Sequence, residues 1–283
     1  MKRIGIDTVI LIRCGHKRWM TYPSAVLKTR VGGYNPPIDL VDLFLNLSEK
    51  YDMFFYFGIY DSGRYWNSGQ YLQELEINRY VIDEAWQRYG HRKAFSGWYL
   101  SQEVSRREKS IITIYSQLGD HCKSVSGGLP VMISPYIDGV KSVAVTHSDL
   151  RKTDSVTPGQ HRKEWNEILS AISGVVDIVA FQDGHCEYDQ LPDYLEINKE
   201  LAEKNELRCW TNCESFDRDM PIKFLPIKWE KLRLKLEMAR QAGIEKAITF
   251  EFSHFLSPNS CYRQARHLYR RYCEFYDIDC DTE

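Results

Sequence analysis

Short apolar runs recur seven times along this chain, each followed by a longer stretch with helical hydrophobic spacing, and this alternation restricts the fold more than any other feature. The runs cover residues 7–13, 53–60, 95–103, 130–135, 175–182, 207–213 and 247–252. The first is rich in β-branched residues and ends on Arg13, as a strand covered on both faces does. Between the runs, Leu40, Leu43, Phe44 and Leu47 recur on one helical face, as do Trp165, Ile168, Leu169 and Ile172. Pro36-Pro37 and Thr157-Pro158 precede these helices, and Gly243 closes another through Trp229, Leu232, Leu236 and Ala239. A last helix is expected near 259–275. Strand starts lie roughly 30 to 47 residues apart, about one βα unit each. No two-residue hairpin signal interrupts them, so one parallel α/β domain is expected over residues 1–283.

That sheet is either open and doubly wound or closed into a barrel, and two features favour the barrel. No Gly-x-Gly-x-x-Gly follows an early strand, so a dinucleotide crevice lacks its phosphate loop and no cofactor is expected. Polar residues also end nearly every strand: Arg13, Tyr60, Glu103, Ser134, Gln182, Asn212 and Glu251 occupy equivalent places. A (β/α)8 TIM-barrel type builds its site from such ends. Eight strands are needed and seven are found. Residues 3–10 parallel residues 241–248, with Gly5 matching the helix-closing Gly243, so the chain is expected to enter in the last turn of a helix. The expectation is an incomplete barrel that lacks its first βα unit and leaves an unpaired edge, or one completed by a segment outside this sequence.

With 37 Lys+Arg against 39 Asp+Glu, the net charge of −2 disfavours nucleic acid or a polybasic membrane surface as partner. No run of about 18 apolar residues exists to span a bilayer. As given, the sequence reads as cytoplasmic, or as secreted or periplasmic if an upstream signal precedes it. The eight cysteines show no Cys-x-x-Cys pair; neither disulfides nor a zinc site is implied. Oligomeric state is not legible.

The chemistry is expected at the rim. Glu103 ends the run through Tyr99 and Ser101, and Glu214 ends the run through Trp210 and Asn212, three strands later. In an eight-strand barrel that separation places them across the mouth. Two carboxylates flanking a bond are what glycoside hydrolysis needs, with about 5–5.5 Å between them for retention and about 6.5–9.5 Å for inversion. The bland alternative is a pair of caps or salt bridges. Thr249, Glu251 and Ser253 are expected to point inward, with Glu251 at the site or paired with Arg13. Gln182 can donate to a substrate hydroxyl, and Asp183 either joins it or starts a turn before Gly184. Tyr60, Trp66 and Tyr136 are candidate platforms for a sugar ring. His185, Cys186 and Glu187, or Asp138, His147 and Asp149, read as solvated loop residues rather than metal ligands.

Residues 89–91 leading to 97–104, together with segments 180–184, 210–216 and 248–258, resemble the bacterial family called domain of unknown function 4434 along nearly the whole chain. The resemblance implies a TIM barrel of glycoside hydrolase type. A second resemblance is to retaining glycosidases, whose acid/base Glu follows the fourth strand and whose nucleophile Glu follows the seventh. With one strand restored, Glu103 and Glu214 fall there. Those enzymes carry Asn before the acid/base, where this chain has Gln102. The expected function is therefore hydrolysis of a carbohydrate with Glu103 as acid/base and Glu214 as nucleophile. Arg13, Tyr60, Trp66, Gln102, Tyr136, Gln182, Asp183, Asn212, Glu251 and His254 are expected around the substrate. The alternatives are a non-catalytic carbohydrate-binding barrel and a metal-dependent sugar lyase or isomerase using Glu251 and Asp183.

Overall fold

A computed structural model describes residues 1–66, 68–106, 110–140, 155–218 and 224–279. Seven parallel strands form one curled sheet in chain order: β1 (Thr8–Leu11), β2 (Phe54–Gly58), β3 (Phe95–Leu100), β4 (Val131–Ile133), β5 (Ile178–Gln182), β6 (Arg208–Glu214) and β7 (Lys246–Phe250). The connections carry α1 (Ala25–Val31), α2 (Leu40–Lys50), α3 (Tyr71–Tyr89), α4 (Ile111–Ser126), α5 (Pro158–Ile172), α6 (Leu191–Lys204) and α7 (Trp229–Gln241). A short α8 (Phe252–Phe255) and a final α9 (Arg263–Phe275) complete the chain. This is the incomplete (β/α)8 barrel that the sequence pattern predicts.

Every second side chain of the sheet faces inward, where Tyr56, Tyr99, Met132, Ile178, Ala180 and Trp210 make a small interior cluster. The other face packs on the helices in a far larger core that includes Phe55, Phe57, Trp98, Ile133, Phe181 and Cys209. Gly97 makes room between them, because a Cβ there would collide with the Tyr56 ring. Register fixes the parity of β7: Ile248 lies opposite Asn212 and joins the interior cluster, whereas Thr249 does not. The expectation that Thr249 points inward is thus out by one residue, and Glu251 and Ser253 lie beyond the end of the strand, where its alternation no longer applies. The run alternates polar with apolar residues, and it is the apolar Ile248 that takes the interior face.

Strands β4 and β5 are buried throughout, but β1 is only half-buried along its length and does not pair with β7 among the described residues. The two edges meet through side chains instead. Lys246 Nζ lies 2.6 Å from Asp7 Oδ1, donates to Thr8 Oγ1 at 3.0 Å and sits over the Trp210 ring. Burial raises the Asp7 carboxyl, and Lys246 and Thr8 outweigh it, holding it below its usual range.

Two further features depart from the sequence reading. Gly15–His16 and Trp19–Met20 form an antiparallel hairpin, and Gly15–His16 also pairs in parallel with Tyr60–Asp61 beyond β2. Lys17 takes the left-handed turn conformation that glycine or asparagine usually signals. Cys273, on α9, is disulfide-bonded, with its partner outside the described residues, so the expectation of no disulfide does not hold.

Candidate active site

At the carboxyl end of β3 the chain continues extended, so Tyr99, Ser101 and Glu103 keep to the inner side. Ser101 Oγ ties this extension to its neighbours by donating to the carbonyls of Ile12 and Ile59 at 2.6 and 2.8 Å. The Glu103 carboxylate, 10% exposed, accepts from the hydroxyls of Tyr99 at 2.7 Å and Tyr136 at 2.9 Å, and Arg13 Nη2 approaches at 3.4 Å. Burial and the adjacent carboxylate push both phenols up, so they remain donors at neutral pH. Burial pulls the Arg13 guanidinium down, but Glu103 and Asp61 more than offset it.

Asp61 is the hub of this side. It accepts from Arg13 Nε at 2.9 Å, from Trp66 Nε1 at 3.0 Å and from the Gly63 amide at 2.8 Å, and His16 Nδ1 lies 3.5 Å from it. Trp66 remains half-buried beside it, in a position to act as the platform the sequence suggests.

The opposite side is closed. Arg218 grips Glu214 with two parallel hydrogen bonds, one from Nε at 2.7 Å and a shorter one from Nη2, and the Glu214 side chain is 1% exposed. Gly184 gives the carboxylate its place, since a Cβ there would collide with it. Behind it, on the helix side, Asp183 Oδ1 accepts from the Glu214 amide at 3.0 Å and from Lys235 Nζ on α7 at 2.7 Å. Burial works against the Lys235 ammonium, and Asp183 and Glu214 more than offset it, keeping it charged.

Tyr136 joins the two sides. Its hydroxyl binds Glu103, it lies within the field of Glu214, and its ring stacks on His185 at 5.6 Å. Burial, with help from Arg218, lowers His185 to about 4, so it is neutral. Between the acids, Gln182 Nε2 donates to the Ser134 carbonyl at 2.7 Å and Asn212 Nδ2 reaches Ser134 Oγ at 3.2 Å; Asn212 Oδ1 has no hydrogen-bond partner among the described residues. An unpaired buried acceptor at the base of a mouth is a place for a ligand hydroxyl.

The structure thus brings together Arg13, Trp66, Glu103, Tyr136, Gln182, Asn212 and Glu214. It places the other expected residues elsewhere. Tyr60 is buried, with its hydroxyl on the Lys17 carbonyl at 2.8 Å, so it is a prop of the hairpin and not an accessible platform. Gln102 turns to the helix layer and donates to the Tyr60 carbonyl and to Glu74, whose carboxyl burial raises against its hydrogen bonds. Asp183 belongs to the ion pair with Lys235. Glu251 neither enters the barrel nor meets Arg13: it caps α8, accepting from the amides of Ser253 at 3.0 Å and His254 at 2.9 Å, and it also binds the ring of His254, which is largely exposed. Asp183 and Glu251, committed in this way, do not form the joint ligand set that a metal-dependent lyase reading asked of them. Asp61, Tyr99, His185 and Arg218 complete the site and were not expected in it. Arg218 had no legible signal, because four-residue spacing pairs side chains on a helix and residues 214–218 are strand and bend.

A curled parallel sheet with acids, amides and aromatic side chains converging at one mouth defines a protein of the TIM-barrel class. The chain belongs to the family described as domain of unknown function 4434 (DUF4434), whose model matches residues 1–262. It is similar to a Bacteroides thetaiotaomicron protein described as a candidate alpha-L-fucosidase, with 57% identity and a TM-score of 0.93 over 99% of this chain and 86% of that one. More distant are the endo-1,4-beta-D-mannanase of Thermotoga petrophila, with 10% identity and a TM-score of 0.55 over 87% of this chain and 80% of that one, and the beta-galactosidase of Marinomonas ef1, with 11% and 0.60 over 99% and 57%. These two share the fold. No curated protein matches the chain. No helix among the described residues is long and apolar enough to cross a membrane.

Proposed function

We propose that this protein is a retaining glycoside hydrolase in which Glu103 is general acid/base and Glu214 is nucleophile. The observation that carries the assignment is the difference between their donors. Guanidinium groups donate only, so Arg218 meets both Glu214 oxygens as acceptors, the arrangement of a carboxylate that attacks a sugar carbon. Around Glu103 the nearest donors are phenol hydroxyls, which rotate and both donate and accept. Such a carboxyl can pass a proton to a leaving oxygen and recover one from water. Gln182 and Asn212 line the floor between the acids and hold substrate hydroxyls. Attack requires Arg218 to release one Glu214 oxygen, so substrate binding displaces the fork. The similarity to the B. thetaiotaomicron protein makes an α-L-fucoside the first substrate to try.

The test is turnover of a panel of activated aryl glycosides, with 4-nitrophenyl α-L-fucoside first. Glu214→Gln is expected to abolish turnover, and Glu103→Gln to lower kcat/KM about 10²–10⁴-fold, both with an unchanged fold. Full activity in either variant removes that residue from the mechanism, and an inverted product anomer excludes the double displacement. A second reading, a barrel that binds sugars without cleaving them, is favoured by the near-complete enclosure of Glu214. Saturable binding with no turnover across the panel selects it.

A further inference from the structure

Trp19 is the most exposed large apolar side chain described, at 70%, and it sits at the tip of the hairpin over the mouth. Leaving an indole in water forgoes its burial energy, so a position built to keep it there calls for a reason. The hairpin is not loose. Tyr60 holds the Lys17 carbonyl, the Lys17 amide donates to the Asp61 carbonyl at 3.1 Å, and the Tyr34 amide donates to the Arg18 carbonyl at 2.7 Å. Tyr34 packs beside Trp19 with ring centroids 5.2 Å apart, and the Arg18 guanidinium covers the Tyr34 ring at 4.3 Å. The pair is therefore fixed in orientation while the indole stays open.

Its direction follows from register. His16 and Trp19 are direct partners across the hairpin, and cross-strand partners project from the same face. On that face His16 reaches Asp61, the hub that holds Arg13 against Glu103 and also binds Trp66. Trp19 thus continues the line that runs from Glu103 through Arg13, Asp61 and His16 to the outer rim. We propose that Trp19, supported by Tyr34, is a second carbohydrate-binding platform that takes a further ring of an extended oligosaccharide whose reacting end lies at Glu103. The flat apolar face of a pyranose suits an exposed indole, and a rigid aromatic of this kind loses little side-chain freedom on binding. This deepens the hydrolase reading and rests on it for the class of ligand.

The full chain is titrated calorimetrically with methyl α-L-fucoside, a single ring, and with a fucosylated xyloglucan oligosaccharide, an extended one. Trp19→Ala is expected to weaken the extended ligand about tenfold and leave the single ring unchanged, with Trp19→Phe retaining most of the affinity. Equal weakening of both ligands, no change in either, or no binding of the extended ligand by the unmodified protein overturns the platform. So does self-association of the unmodified protein that Trp19→Ala abolishes in sedimentation, which makes the patch an interface between copies. If Trp19→Ala loses only the extended ligand while no glycoside is ever cleaved, the platform stands and the hydrolase reading falls. If aryl fucoside is cleaved and Trp19→Ala binds the extended ligand as before, the reverse holds.

Discussion

The two rim glutamates end equivalent strands, yet their surroundings differ in kind. Glu103 meets two phenols and one loosely placed guanidinium, with Arg13 28% exposed behind it. Glu214 is sealed by a two-pronged guanidinium at the front and backed by the buried Asp183–Lys235 pair, whose side chains are 1% and 7% exposed. A place at the same rim therefore does not give equal access. On one side the carboxylate meets hydroxyls that both donate and accept, and on the other it meets a guanidinium that only donates.

Removing a cation from each side gives the largest contrast. Lys235→Met leaves Asp183 buried without its counter-ion and is expected to cost about 3–5 kcal/mol in urea unfolding. Arg13→Met leaves Asp61 and Glu103 with their remaining donors, so about 1–2 kcal/mol is expected. Equal losses would erase the distinction. A smaller effect comes from His185, between the two sides. Its folded value of about 4 lies below the ordinary histidine value, so the folded state binds fewer protons than the unfolded chain in that window. Stability is accordingly lost as pH falls from about 6.5 toward 4. The loss between about pH 7 and pH 5 is on the order of 1 kcal/mol after allowance for partial exposure, and His185→Phe should remove that part of the slope. An unchanged slope in the variant means that another group is responsible. The smallest expected effect is that of Tyr136→Phe, which takes one of two phenols from Glu103. About 1 kcal/mol of stability and a tenfold fall in kcat/KM on an aryl glycoside are expected, with displacement of the basic limb of the pH–rate profile, where the general acid loses its proton. A change in the acidic limb alone would place Tyr136 elsewhere in the mechanism.

The sheet was legible in the sequence because buried parallel strands are long apolar runs and their helices carry a 3.6-residue stripe. Each of the seven runs became a strand, with bounds moved by a few residues. The inner face of β6 followed simple alternation from Trp210 to Glu214. Alternation misled at β7, where Thr249, Glu251 and Ser253 alternate with Ile248, Phe250 and Phe252: the polar set was assigned to the interior, whereas Ile248 takes that face and Glu251 lies beyond the strand as a helix cap. Gln102 and Asp183 were misplaced for a related reason: polar groups in these positions satisfy one another across the sheet–helix layer, with Glu74 and Lys235, which lie far away in sequence. Nothing local announces such a partner. The hairpin at Trp19 was hidden because its turn uses Lys17 in place of the usual glycine or asparagine.

The tether between Lys246 and Asp7 has a mechanical meaning. A closed cylinder fixes its own radius through an unbroken ladder of amide bonds, whereas these two lips are held through side chains: the Lys246 ion pair, its bond to Thr8, and the apolar packing of Ile4 with Leu268 and Tyr269 and of Ile10 with Ile248. Salt screens the ionic part of that fastening and leaves the apolar part in place.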